Sequence, residues 1–120
     1  MDDTFELYDL KVSVEKISGQ CTCNHQIGEY FELQSGKLSF PSGQSFCLYA
    51  LQAAIPLLPA KQRPLHPHDW METDTRVVCP DPLCGLTMLI ERTNRRLIQH
   101  SEVSAVALIP KEANQERIKE

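Results

Sequence analysis

No stretch of this 120-residue chain is long and apolar enough to cross a bilayer. The longest apolar run, Phe46 to Ala60, is interrupted by Gln52, Pro56 and Pro59. The opening Met1-Asp2-Asp3 has neither the positive start nor the apolar centre of a secretory signal. A cytoplasmic location is therefore expected, with no membrane partner. Arginine-rich patches are also missing. Twelve basic residues against sixteen acidic ones leave a net charge of −4, which argues against nucleic acid as a partner. There is no nucleophile elbow, phosphate-binding loop, glycine-rich dinucleotide fingerprint or HExxH, so the commonest hydrolase, NTPase, dehydrogenase and zincin readings fall away. Repeats and low-complexity tracts are absent too. What remains is 42% hydrophobic and 23% charged, the composition of a folded domain. Its length suits one domain over residues 1–110, followed by a charged, frayed tail at 111–120.

Charge is unevenly placed, at −5 over residues 1–90 and +1 over residues 91–120. The basic surplus at Arg92, Arg95 and Arg96 reads as a solvated hairpin tip. Leu10, Val12 and Val14 alternate with Lys11, Ser13 and Glu15, which predicts a half-buried strand over Leu7 to Ile17. Shorter strands are expected at Glu29 to Leu33, Leu38 to Phe40, Arg76 to Cys79 and Leu86 to Glu91. A turn at Arg92 to Arg95 would return the chain along Leu97 to Leu108. Only Ser45 to Ile55 has sustained helical periodicity. Ser45 would be its N-cap, Cys47, Leu51, Ala54 and Leu58 its apolar stripe, and Pro56 would end or kink it near Ile55. The fold class is α+β: one small, mainly antiparallel sheet packed on a single main helix.

Gly19-x-Cys21-x3-His25-x2-Gly28-Glu29-x-Phe31, the helix beginning Phe46-Cys47, and Cys79-Pro80-Asp81-Pro82 resemble a family of small microbial α+β proteins of undetermined activity. A closer subgroup, found in fungi and some bacteria, has a Phe-Glu-Leu-Tyr-Asp-Leu start, present here at Phe5 to Leu10. It also has Pro59-Ala60-Lys61-Gln62-Arg63-Pro64, Asp69-Trp70-Met71 and Cys79-Pro80-Asp81-Pro82-x-Cys84. The resemblance covers about residues 5–108. The chain departs from the subgroup in holding both Cys21 and Cys23 where only the second is usual. It also has His68 where Asn is expected. The resemblance implies a fold of this size and class but no activity.

Five cysteines in a reducing compartment serve more often as ligands, nucleophiles or core residues than as disulfides. Thiolates hold zinc well, and small domains use such sites to fasten loops. If the predicted hairpin turned near Asn94, His100 would return towards the cysteine loops. Cys23, Cys79, Cys84 and His100 are therefore the expected zinc ligands, with Cys21 or His25 as substitutes. The spacings are not the paired C-x2-C knuckles of strong zinc motifs. Cys47, on the apolar stripe, reads as core, and His25 as a loop hydrogen-bonding residue. A Cys79–Cys84 redox pair is the competing use, although Pro80 and Pro82 restrict the approach.

The second candidate site is the polar, proline-stiffened loop after the helix. Lys61 and Arg63 suit an anion, Trp70 an aromatic ring, and His66, His68 or Asp69 a proton transfer. Two readings of function follow. One is a small enzyme without organic cofactor, performing decarboxylase, dehydratase or isomerase chemistry on a small carboxylated or phenolic anion, with or without zinc. The other is a non-catalytic, metal-stabilised binding or accessory module. They separate on whether the polar-loop residues converge on one cleft. Oligomeric state stays open between monomer and homodimer.

Overall fold

The alternation of Leu10, Val12 and Val14 with polar residues builds β1 (Thr4–Ile17), the central strand of the computed structural model, which describes residues 2–109. The remaining strands are β2 (Tyr30–Gln34), β3 (Lys37–Ser39), β4 (Arg76–Val78) and β5 (Leu86–Gln99). They form one antiparallel sheet in the order β3-β2-β1-β5-β4. The α+β expectation holds. The expected tail at 111–120 lies outside the described residues.

The hairpin expected around Arg92 to Arg95 does not exist. Instead β5 runs unbroken for 14 residues and pairs with β1 from end to end. The reason lies in cross-strand charge. Arg95 meets Glu6 at 2.7 Å and Arg96 meets Asp9 at 2.8 Å, so a polar run that mimics a turn is stabilised as a ladder. Thr93 is the extra residue of a bulge, because Asn94 pairs with Asp9 and Arg92 with Leu10. A one-residue slip exchanges the faces. Leu7 and Asp9 are buried before the bulge, Leu10, Val12 and Val14 after it.

The helix also begins later than expected. Cys47, not Ser45, is the N-cap of α1 (Leu48–Ala54). One 3-10 turn (Ile55–Leu57) then leads into α2 (Leu58–Lys61). Pro56 and Pro59 each sit in the first turn of a new segment, where no backbone N–H is needed, so the proline breaks the regular α geometry without ending the helical path. Ala50, Ala54 and Leu58 face the sheet and are buried against Leu10, Val12, Val14, Phe31, Met88 and Ile90, while Leu51 and Cys47 are only partly covered. Among the described residues, two single-turn helices follow, α3 (Trp70–Thr73) and α4 (His100–Val103). No helix among the described residues is long and apolar enough to cross a membrane.

Candidate functional site

All five cysteines line one cavity of about 420 Å³, together with Thr22, Tyr49, Pro80 and Asp81. Three separate segments supply them, and each is brought there by ordinary backbone bonding. Beyond the end of β1, the N–H groups of Ser18, Gly19 and Gln20 donate to the carbonyls of Gly85, Cys84 and Leu83 at 3.0–3.1 Å. This extension of the β1–β5 ladder sets Gly19 against Cys84 and carries Cys21 to the same cavity. The Cys79 N–H donates to the Leu86 carbonyl at 2.9 Å, extending β4 in the same way. Between Cys79 and Cys84, the Asp81 carboxylate accepts the Leu83 N–H at 3.0 Å and closes the proline-rich turn.

His25 ties in the third segment. It is buried, and its Nε2 accepts the Cys47 N–H at 2.9 Å. The Nδ1–H therefore donates to Glu29, 2.7 Å away, as the neutral tautomer requires. The His25 backbone N–H points at the Cys21 sulfur at 3.4 Å, and the ring packs 4.4 Å from that of Phe46. Thus His25 acts as the hydrogen-bonding residue the sequence suggested, and it joins the Cys21–Cys23 loop to the start of α1.

The thiols differ in character. Burial pushes Cys84 up to about 11, against the Leu86 N–H, which favours its thiolate. The neighbouring Cys47 thiol, and then burial, push Cys23 up. Burial alone would raise Cys47 as well. The N–H groups of Ala50 and Tyr49 and the Cys23 thiol outweigh it, and Cys47 is lowered. Cys23 is exposed, Cys21 and Cys47 are half-buried, and Cys79 and Cys84 are buried. The sulfurs surround a volume rather than a point. Among the described residues, no three His, Cys, Asp or Glu side chains are arranged around one ion. An incoming ion would have to displace thiol protons and draw the sulfurs inward.

Cys23, Cys79 and Cys84 are thus together, as the sequence suggested, but His100 is not with them. It starts α4 at the far end of β5, roughly 45 Å of strand from Cys84 at about 3.3 Å per residue. There its Nε2 contacts the Val106 carbonyl at 2.7 Å. The expected proximity depended on a hairpin that β5 replaces. Cys47, read as core, does pack against the core while half-buried, and what the sequence reading missed is that it also lines the cavity. Starting the helix at Leu48 instead of Ser45 turns it from an interior stripe position into a cap facing the cysteine loops.

The polar-loop residues do not meet. Lys61 is buried, and its Nζ donates to the carbonyls of Met71 and Asp74. Burial, with Arg92 nearby, lowers its pKa, and Glu72 opposes the shift. Arg63 is exposed and donates to the Pro59 carbonyl at 2.7 Å. His66 accepts the His68 N–H at 3.0 Å, with both rings in solvent. The Asp69 carboxylate caps α3 by accepting the Met71 N–H at 2.9 Å, and Trp70 is 63% exposed. Lys61 and Arg63 line different cavities, of about 380 and 510 Å³, and His66, His68, Asp69 and Trp70 line neither.

The organising cation of this region is Arg92. Its guanidinium donates to the carbonyls of Lys61 and Arg63 and to both oxygens of Glu72, each at 2.9 Å, and lies over the Tyr8 ring. Reading Arg92 as a turn residue hid this role.

No protein-family model matches the chain, and no curated protein or solved structure is detectably similar to it. The site is accordingly read from its own geometry.

Proposed function

We propose that this chain is a small binding module whose cysteine cavity takes up a thiophilic divalent ion, zinc foremost, which fastens the cavity's loops together. The observation that carries this reading is the convergence of Cys21, Cys23, Cys47, Cys79 and Cys84 from three segments on one cavity. Four thiolates complete a closed tetrahedral zinc shell, so five cysteines supply the donors without His100. The acid/base reading requires Lys61, Arg63, His66, His68 and Asp69 to share a cleft, and their carbonyl, capping and solvent contacts serve the loop itself.

Elemental analysis of reduced, purified protein tests the proposal, with about one equivalent of zinc expected. Cobalt titration of stripped protein should give the intense sulfur-to-metal absorption of a thiolate site. Serine at both Cys79 and Cys84 leaves three thiols, one short of the shell, and should remove it. Because raised thiols must lose protons to bind, affinity should fall on the order of a hundredfold or more per pH unit on acidification. Protein that takes up neither metal, or binds it with no pH dependence, overturns the reading.

A further inference from the structure

We propose that Lys61 is a nucleophilic lysine that captures a small, uncharged aldehyde as an imine. The ligand occupies the cavity of about 380 Å³ that Lys61 lines with Met71, Thr75 and Leu89. The hydrogen count at one nitrogen decides this, independently of any metal. Lys61 is buried and, among the described residues, forms no ion pair. Its Nζ has two acceptors, the carbonyls of Met71 and Asp74. An ammonium would bring three hydrogens to them, and a buried donor without an acceptor is costly. The neutral amine brings two, so each carbonyl is satisfied and the lone pair is left over. Met71, and Thr75 next to Asp74, line the cavity with Lys61, which sets this nitrogen at its wall.

The charges around the amine favour the same state. Burial, with Arg92 nearby, lowers the Lys61 pKa, and that enlarges the share of neutral amine at a given pH. Glu72, Asp74 and Asp69 oppose the shift, but each carboxylate has another partner. Glu72 takes the Arg92 guanidinium on both oxygens, Asp74 the Thr73 hydroxyl at 2.9 Å, and Asp69 the Met71 N–H. Glu91 is the remaining charge on the cavity wall. With Lys61 neutral, Glu72 and Glu91 outnumber Arg92 there, so an anionic aldehyde is repelled. Met71 and Leu89 offer apolar surface to an uncharged one.

The capture balances without a co-reactant. The ammonium first releases one proton. The Nζ lone pair attacks the aldehyde carbon, a C–N bond forms, and the C=O π electrons move to oxygen. That oxygen takes a proton from nitrogen, giving a carbinolamine. The C–O bond then breaks as C=N forms, and the hydroxyl leaves as water with the proton first released. Protonated lysine and aldehyde thus become protonated imine and one water, with no change in charge. The N–H that remains still serves one of the two carbonyls.

The test incubates the full, reduced chain at about pH 7 with butanal and sodium cyanoborohydride, which fixes imines and lets reversible thiol adducts dissociate. Peptide mapping then reads each amine. Lys61 should carry more adduct than Lys11, Lys16 and Lys37 combined, and its labelling should level off at lower pH than theirs. Both differences should vanish in urea. Labelling that follows exposure and spares Lys61 overturns the proposal, and so does a preference that survives in urea. Glyoxylate, an anionic aldehyde, should label Lys61 less than butanal does, and the reverse order overturns the uncharged class. Thr75→Phe keeps the backbone bond from the Ile90 N–H to the residue 75 carbonyl and fills the cavity. It should slow labelling of Lys61 alone, and an unchanged rate overturns the assignment to this cavity.

Discussion

At Gly19, two loops cross with no room for a side chain. A Cβ there would lie 2.0 Å from the Leu83 carbonyl oxygen and 2.8 Å from that of Cys84. Both are backbone atoms, so relief requires the cysteine loops to separate. Gly19→Ala should cost on the order of 1–3 kcal/mol in urea denaturation. It should also speed alkylation of the buried Cys84, and unchanged stability would show that the crossing is slack. Glu29 acts on the same loop through charge. The Gln26 N–H, then the His25 ring, holds its carboxyl below the usual range. Its folded pKa thus lies under its unfolded one. The stabilisation is present above the unfolded carboxyl pKa and is lost as pH falls through the folded value. Glu29→Gln should remove that share of the acid limb, measured as denaturation midpoints from about pH 6 to about pH 3. Glu15 and Asp2, also lowered, keep the remainder.

Among the elements, the strands were legible where one face is buried. Leu10, Val12 and Val14 alternate because the sheet is covered on that side, and the pattern announces β1 without help from tertiary contacts. β5 was not legible as one strand beyond Glu91, because its partners Glu6, Asp9 and Glu72 lie 20 to 89 residues away in sequence. No local period carries that information. The same distance effect governed the site. Cys79 and Cys84 could be paired across a short turn, whereas Cys47 joins them only through His25 and the true helix start. Arg92 gives the element-scale test. Its planar fork serves two carbonyls and a carboxylate at once, a geometry that a lysine ammonium cannot reproduce. Arg92→Lys should cost about 1.5–3 kcal/mol, the worth of a lost charged hydrogen bond. Arg63→Lys, with its one contact to Pro59 in solvent, should stay within about 0.5 kcal/mol. Equal losses in the two variants would mean that the loop, not Arg92, sets the stability of this end.

At the scale of the molecule, the thiol cavity and the hydrophobic core are not separate objects. Cys79 and Cys84 belong to the buried cluster that contains Val14, Leu86 and Met88, so an ion held there grips the core itself. The helical layer is only 14 residues long, and no disulfide joins the cysteines. An ion bound by the folded chain, and not by the unfolded one, stabilises it in proportion to the logarithm of its excess. At a hundredfold excess over the dissociation constant, that is about 2.7 kcal/mol. For a domain of about 100 residues this corresponds to a rise in Tm on the order of 10 °C or more. Melts of reduced protein in zinc and in chelator should differ by that amount, and the difference should vanish when Cys79 and Cys84 are both replaced by serine, which leaves three thiols. The direction of the control matters as much as its size. Loss of a merely packed thiol lowers both melts equally, whereas loss of a ligand collapses the zinc melt onto the chelator melt. Only the second pattern couples the cavity to folding through an ion.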